Sequence, residues 1–180
     1  MIDKELNYTA HDYTVAISAN EYIRRFRDSE RFIKYCRECK NFNRSWACPP
    51  FSHDTEAELR KYSSLLLIAT RIDLAGKEIP IAESPRLIRP ERIRIERRLL
   101  EMERIYGGRS YAYAGSCLYC PENTCARTIG KPSLEAYGFD IGRTTAELFG
   151  ITLLWGKDGI LPDYLTLVCG FFHNSENVIF

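Results

Sequence analysis

The chain has 180 residues, 45% of them hydrophobic, which suits one domain with a core that needs no covalent staples. Its 25 lysines and arginines almost balance 24 aspartates and glutamates, for a formal net charge of +1. That balance argues against a nucleic-acid protein, which normally shows a marked basic excess.

The longest apolar run, Leu65 to Ala69, is far too short to cross a bilayer. The N-terminal stretch Met-Ile-Asp-Lys-Glu-Leu-Asn has no apolar signal-peptide core. The expected location is therefore cytoplasmic, where thiols stay reduced. Seven cysteines in clustered pairs then point to metal rather than to disulfides.

In chain order, residues 12–17 read as a strand rich in β-branched and aromatic side chains. Ser18 with Glu21 makes a capping-box signature for a helix that turns Tyr22, Ile23 and Phe26 inward. Asp28 is placed to cap a second helical stretch through Phe32 and Ile33, which delivers Cys36 at its end. Cys36, Cys39 and Cys48 follow as C-x2-C-x8-C, with Pro49 and Pro50 behind the last thiol. Asp54 is expected to cap a helix over 55–62, and 64–73 reads as a buried central strand.

The stretch 74–88, with Gly76, Pro80 and Pro85, reads as an irregular connection. Pro90 suits the first turn of a long helix ending near Gly107 and Gly108. Ile88, Ile95, Leu99, Met102 and Tyr106 recur there at helical spacing and should face the core. The same helix carries Arg89, Arg92, Arg94, Arg97, Arg98 and Arg104, which suggests an anion-binding face. Glu91, Glu96, Glu101 and Glu103 are interleaved, so a solvated, pair-laced face is the preferred reading.

Residues 110–114 read as a third strand running into Cys117, Cys120 and Cys125, spaced C-x2-C-x4-C. Pro132 and Ser133 open a short helical stretch that stops at Gly138, and 143–149 reads as a helix ended by Gly150. Two further strands are expected at 151–155 and 164–172. The elements mix without strict alternation. The expected architecture is α+β or α/β, a single cysteine-rich domain over 1–180 with a mixed sheet flanked by helices and two cysteine-rich loops.

Two residues between cysteines let both sulfurs turn toward one point, a spacing that zinc and iron–sulfur sites share. Cys36, Cys39, Cys48, Cys117, Cys120 and Cys125 are the candidate metal ligands, while Cys169 inside an apolar run reads as a core thiol. Zinc needs four ligands, and each triad supplies three. His53, His173 or Cys169 are the protein groups that would complete a set, an external ligand being the other choice.

Iron–sulfur is the sharper reading. A proline often follows a ligating cysteine in ferredoxin-type runs, and here Cys48 precedes Pro49 and Cys120 precedes Pro121. Phe42, Trp46, Phe51 and Tyr119 would shield a cluster from water, although such aromatics are more often core. A thioredoxin-like dithiol fits less well, because each pair has a third cysteine nearby and Cys36 follows a helix. None of His11, His53 and His173 stands in H-E-x-x-H spacing, and no phosphate-binding glycine loop is present.

Cys36-Arg-Glu-Cys39 followed by Asn43-Arg-Ser-Trp46-Ala-Cys48-Pro49-Pro50 resembles the opening motif of the DUF2284 family, described as predicted metal-binding proteins. Gly115-Ser-Cys117-Leu-Tyr-Cys120, Cys125-Ala-Arg127 and Lys131-Pro132-Ser133-Leu134-Glu135-Ala136-Tyr-Gly138-Phe-Asp140-Ile141 look like its C-terminal signature. The resemblance spans about residues 30–145. The family's second motif usually holds a fourth cysteine where this chain has Pro121, Glu122, Asn123 and Thr124, and a later proline is replaced in the region of Thr128.

The resemblance implies metal binding without an assigned reaction. The favoured expectation is a 4Fe–4S-type cluster in electron transfer or reductive activation, with a redox partner or small-molecule ligand and neither nucleic acid nor membrane. Structural zinc is one alternative. An enzyme with an open metal position beside Arg127 and Lys131 is the other.

Overall fold

The apolar run at 64–73 becomes the middle of a four-stranded sheet. The computed structural model describes residues 7–74, 78–115 and 131–180. Its strands are Tyr8–Ser18 (β1), Ser64–Leu74 (β2), Arg109–Tyr111 (β3) and Tyr164–His173 (β4), in the order β1-β2-β4-β3. Every pairing is antiparallel, with Ala69 opposite both Tyr13 and Val168. Where the sequence suggests a mixed sheet, the parallel element reduces to an isolated bridge between Ala112 and Ser133.

Two cores explain why β2 is apolar on both faces. Leu65, Leu67 and Ala69 pack with Val168 and Phe172 on one side. Leu66 and Ile68 pack with Cys169 and Phe171 on the other. A strand covered on both faces loses its alternation and reads as a continuous hydrophobic run.

The second face is covered by the long helix Ser84–Tyr106, through Ile95, Leu99 and Met102. In chain order the helices are Ala19–Phe26 (α1), Ser29–Glu38 (α2), Thr55–Leu59 (α3), the long helix (α4) and Ile141–Thr144 (α5), the last running into a π-helical turn, Thr145–Phe149. The first face is covered by α1, by residues 134–141 and by Ile151. There Tyr22 lies between Phe26 and Phe139, with ring centroids 5.0 and 4.6 Å apart, and its hydroxyl meets Thr144 Oγ1 at 2.9 Å.

Several local expectations hold. Asp28 caps α2 by accepting from Arg31 N at 3.0 Å, and Asp54 caps α3 by accepting from Glu56 N and Ala57 N. Others change. Ser18 precedes α1 without a side-chain cap, and Glu21 pairs instead with Arg25 at 2.7 Å.

The long helix α4 starts at Ser84 with Pro85 in its first turn and continues through Pro90, an exposed residue that gives up one bond of the helical ladder. Leu87, rather than Ile88, is its first fully buried residue. Its charges pair along the helix as expected, in Arg94–Glu91 and Arg98–Glu101, but Arg94 also makes a two-pronged bond to Asp12 on β1 at 2.7 and 2.9 Å. Residues 151–155 form no strand: Ile151 is buried and Leu153 packs on the same core, while Trp155 is 82% exposed. The apolar character there belongs to a single chain lying on a core, without a ladder.

The segment 131–140 ties these layers together. Ala112 N donates to Pro132 O at 2.9 Å, and Lys131 Nζ bonds Glu103 Oε2 at 2.6 Å. Glu103 Oε1 also accepts from Ser110 N and Ser110 Oγ, both at 2.7 Å. Further on, Asp28 N donates to Gly138 O at 2.8 Å and Asp140 N to Phe26 O at 2.8 Å. Gly138 has φ +89, and a Cβ there would stand 2.7 Å from Ser29 Cα. Only glycine fits this approach.

Gly138→Ala should therefore destabilise the protein by about 1–3 kcal/mol in urea unfolding, from left-handed backbone and collision with α2. A loss below about 0.5 kcal/mol, the size of an ordinary surface change, would show that the junction does not constrain the fold. Burial alone would raise the Glu103 carboxyl, but the bonds from Lys131 and Ser110 outweigh it and hold it below its ordinary value of 4.5. A depressed acid adds stability above its unfolded value and loses it as pH falls through the folded one. Glu103→Gln should cost about 1–3 kcal/mol at pH 7, and less as pH drops below 4.5. A cost independent of pH would contradict the clamp.

Candidate functional site

The first cysteine set leaves the end of α2. Cys36 lies in its last turn and Cys39 is its C-cap, with Cys39 N donating to Cys36 O at 3.0 Å. The chain then folds through successive tight turns: Phe42 N donates to Cys39 O at 3.0 Å, Asn43 N to Pro49 O at 2.9 Å and Cys48 N to Ser45 O at 3.0 Å. Asn43 takes the left-handed conformation that such a turn needs, φ 54. Asn41 N lies 3.5 Å from Cys39 Sγ, so a backbone donor already points at this sulfur.

Cys39 is exposed, whereas Cys36 and Cys48 are half-buried, and none of these three is in a disulfide. Burial first, then the neighbouring Cys39 and Glu135, push the Cys36 thiol above its ordinary value. Among the described residues, no three of His, Cys, Asp and Glu converge closely enough to hold a metal ion. The described residues of the first set are three free thiols on one stretch of chain, donors of the type a soft metal selects. Cys117, Cys120 and Cys125 lie outside the described residues, and so do Tyr119 and Arg127.

What the fold does bring together is the roots of the two sets. Helix α2 packs on the 3-10 turn Glu135–Tyr137, ten residues beyond Cys125 in the chain. Phe51, three residues after Cys48, packs on Tyr137 with ring centroids 4.8 Å apart. Phe51 is thus a core aromatic, the blander of its two readings.

Two buried polar atoms here have no hydrogen-bond partner among the described residues: Trp46 Nε1 on the cysteine loop and Glu135 Oε2 on the facing turn. Burial raises the Glu135 carboxyl, against opposing bonds from its own N–H and from Ser133. Buried polar atoms left unpartnered are costly to a fold.

The candidates for a completing ligand separate clearly. Cys169 is fully buried on the α4 face of the sheet, where burial pushes its thiol up to about 12, partly offset by a bond to Tyr113. The turn that contacts α2 belongs to the opposite face, through Tyr137. Cys169 is therefore a core thiol. His173 stacks on Phe171 with its Nδ1 2.9 Å from Ser175 O, also on the α4 side.

His53 stands nearer, but its Nε2 lies 2.7 Å from Glu58 Oε2 and 3.1 Å from Tyr137 Oη. This polar group was not legible in the sequence, because Glu58, the β3 pair Arg109 and Tyr111, and Tyr137 come from three separate stretches. The one local hint was the Asp54 cap, which fixes His53 just ahead of the helix that carries Glu58.

No helix among the described residues is long and apolar enough to cross a membrane. No curated protein and no solved structure matches the chain. A family model described as predicted metal-binding protein matches residues 23–168, which include both cysteine sets and the turn between their roots. The chain belongs to the DUF2284 family of predicted metal-binding proteins.

Proposed function

We propose that Cys36, Cys39 and Cys48, together with Cys117, Cys120 and Cys125, hold an iron–sulfur cluster of the 4Fe–4S kind, in a cytoplasmic protein that serves electron transfer or reductive activation of a partner. The observation that supports the proposal is the packing of α2, the helix that leads into the first cysteine stretch, against the Glu135–Tyr137 turn that follows the second in the chain, in a member of a metal-binding family. Thiolates are the ligands that soft metal centres select.

Iron–sulfur is preferred over zinc for two reasons on the same loop. Pro49 and Pro50 follow the third thiol and remove two backbone donors beside it. Trp46 Nε1 is a buried donor with no partner among the described residues, and N–H donors suit the sulfur acceptors of a cluster. A bound cluster would supply a one-electron carrier. The chain's own part is to present thiolates and to place N–H donors such as Asn41 N beside Cys39 Sγ.

The mutational test compares metal content after anaerobic purification. Cys39→Ser should lose the metal of its site, because removing one thiolate from a small ligand set removes most of its affinity. Cys169→Ala should keep the full metal content, since that thiol lies in the core on the other face. Full retention in Cys39→Ser would remove the first triad from the site. Loss in Cys169→Ala, with folding intact by circular dichroism, would make Cys169 a ligand.

A further inference from the structure

The two edges of the sheet differ. Strand β3 is three residues long, and just beyond it Ala112 already bridges to Ser133. Strand β1 is eleven residues long and pairs with β2 without a break, from Tyr8 opposite Leu74 to Ser18 opposite Ser64. Among the described residues, no chain pairs with its other side. Such an edge is an open row of backbone donors and acceptors, which folds usually guard with lysine, proline or a bulge. Strand β1 has none of these. Its one carboxylate, Asp12, is turned onto Arg94 and Thr70 rather than toward the edge.

Which backbone groups are open follows from the ladder. Ala19 N donates to Ser63 O at 3.0 Å, one step past the end of β1 in the same register. On the other side of β2, Leu74 N donates to Asp163 O at 3.0 Å. Bonded pairs alternate along an antiparallel ladder, so odd-numbered residues of β2 bond β1 and even-numbered ones bond β4. The even-numbered residues of β1, among them Ala10, Asp12, Thr14 and Ala16, therefore turn N–H and C=O to the open side.

We propose that β1 pairs with β1 of a second copy of this chain, antiparallel about a two-fold axis at Tyr13, so that one sheet runs through both copies. In that register Ala10 stands opposite Ala16 and Asp12 opposite Thr14, and each open N–H meets an open C=O. Tyr13 meets Tyr13 at a non-hydrogen-bonded position, where side chains lie closest. This ring is 43% exposed in the single chain, and an aromatic cross-strand pair gives it a partner.

Other registers fit less well. An axis at Asp12 sets two carboxylates opposite one another. An axis at Thr14 sets Ala10 against Ser18, where the chain turns into α1. The edge is thus complementary to itself, as a two-fold interface requires, which favours a second copy over an unrelated strand.

The test is sedimentation velocity of the full-length protein, purified without oxygen, over a concentration series. A species of twice the 20.8 kDa chain mass is expected. Thr14→Pro removes an N–H on the open side only, so β1 should stay on β2 while the dimer is lost. Tyr13→Lys sets like charges opposite at the axis and should weaken association by roughly tenfold or more. Trp155→Lys, at a side chain 82% exposed, should leave the dimer intact. In hydrogen exchange followed by NMR, the amides of Ala10, Asp12, Thr14 and Ala16 should slow as concentration rises.

A monomeric mass throughout, a dimer that survives both Thr14→Pro and Tyr13→Lys, or one lost only in Trp155→Lys would each overturn the proposal. Circular dichroism checks the folding of each variant, and if Thr14→Pro unfolds, Tyr13→Lys and the exchange rates decide. Metal content should be unchanged in Tyr13→Lys, so a failure here and a failure of the metal proposal are read on separate instruments.

Discussion

The contact of Gly138 with Ser29 is the constraint on which the rest of the arrangement depends. Backbone meets backbone there, with a pair of bonds that link 138–140 to 26–28 on either side. Any side chain at 138 would push α2 away from the turn, and with it Cys36. Because the same segment is fastened at its start to Ala112 and Glu103, the approach also fixes where the stretch between Gly115 and Lys131 is anchored. One glycine therefore relates the helix that carries Cys36 to the segment that begins at Lys131.

The surrounding structure makes that approach rigid. Phe139 lies beside Tyr22, and Leu134 and Tyr137 are fully buried in the core of the first face. Burying each large side chain of this kind stabilises by roughly 1.5–3 kcal/mol. Glu58 adds a polar centre to the same region, joining Tyr111, Tyr137, His53 and Arg109 around one carboxylate. Its two tyrosines stay protonated, because burial above all raises both. The face of the sheet under α4 is by comparison conventional, an apolar core that keeps Cys169 from the chemistry.

Much of this was legible in the sequence because it depends on local pattern. The run 64–73 announced a strand buried on both faces, and Asp28 and Asp54 announced the caps of α2 and α3. The Ile95, Leu99 and Met102 spacing announced the buried stripe of α4. The signals that misled were also local. Pro90 looked like a helix start, yet burial of Leu87 one turn earlier carries the helix back to Ser84. The apolar stretch 151–155 looked like a strand, yet among the described residues no chain pairs with it. Ser18 and Glu21 had the right spacing for a reciprocal cap, but Arg25 competes for the glutamate.

The candidate site divides along the same line. The C-x2-C pair and the third thiol are visible as spacing, and the family they resemble is the family to which the chain belongs. The proximity of Glu135 to Cys36, and the ring of donors around Glu58, depend on contacts between residues roughly fifty to a hundred apart in the chain, which no local window contains. The measurement that tests the central claim most directly is iron, zinc and acid-labile sulfide analysis of protein purified without oxygen, read beside its visible spectrum. Brown protein with iron and sulfide in matching amounts is the predicted result. Colourless protein with stoichiometric zinc, or metal-free protein with all six thiols of the two sets free, would contradict it.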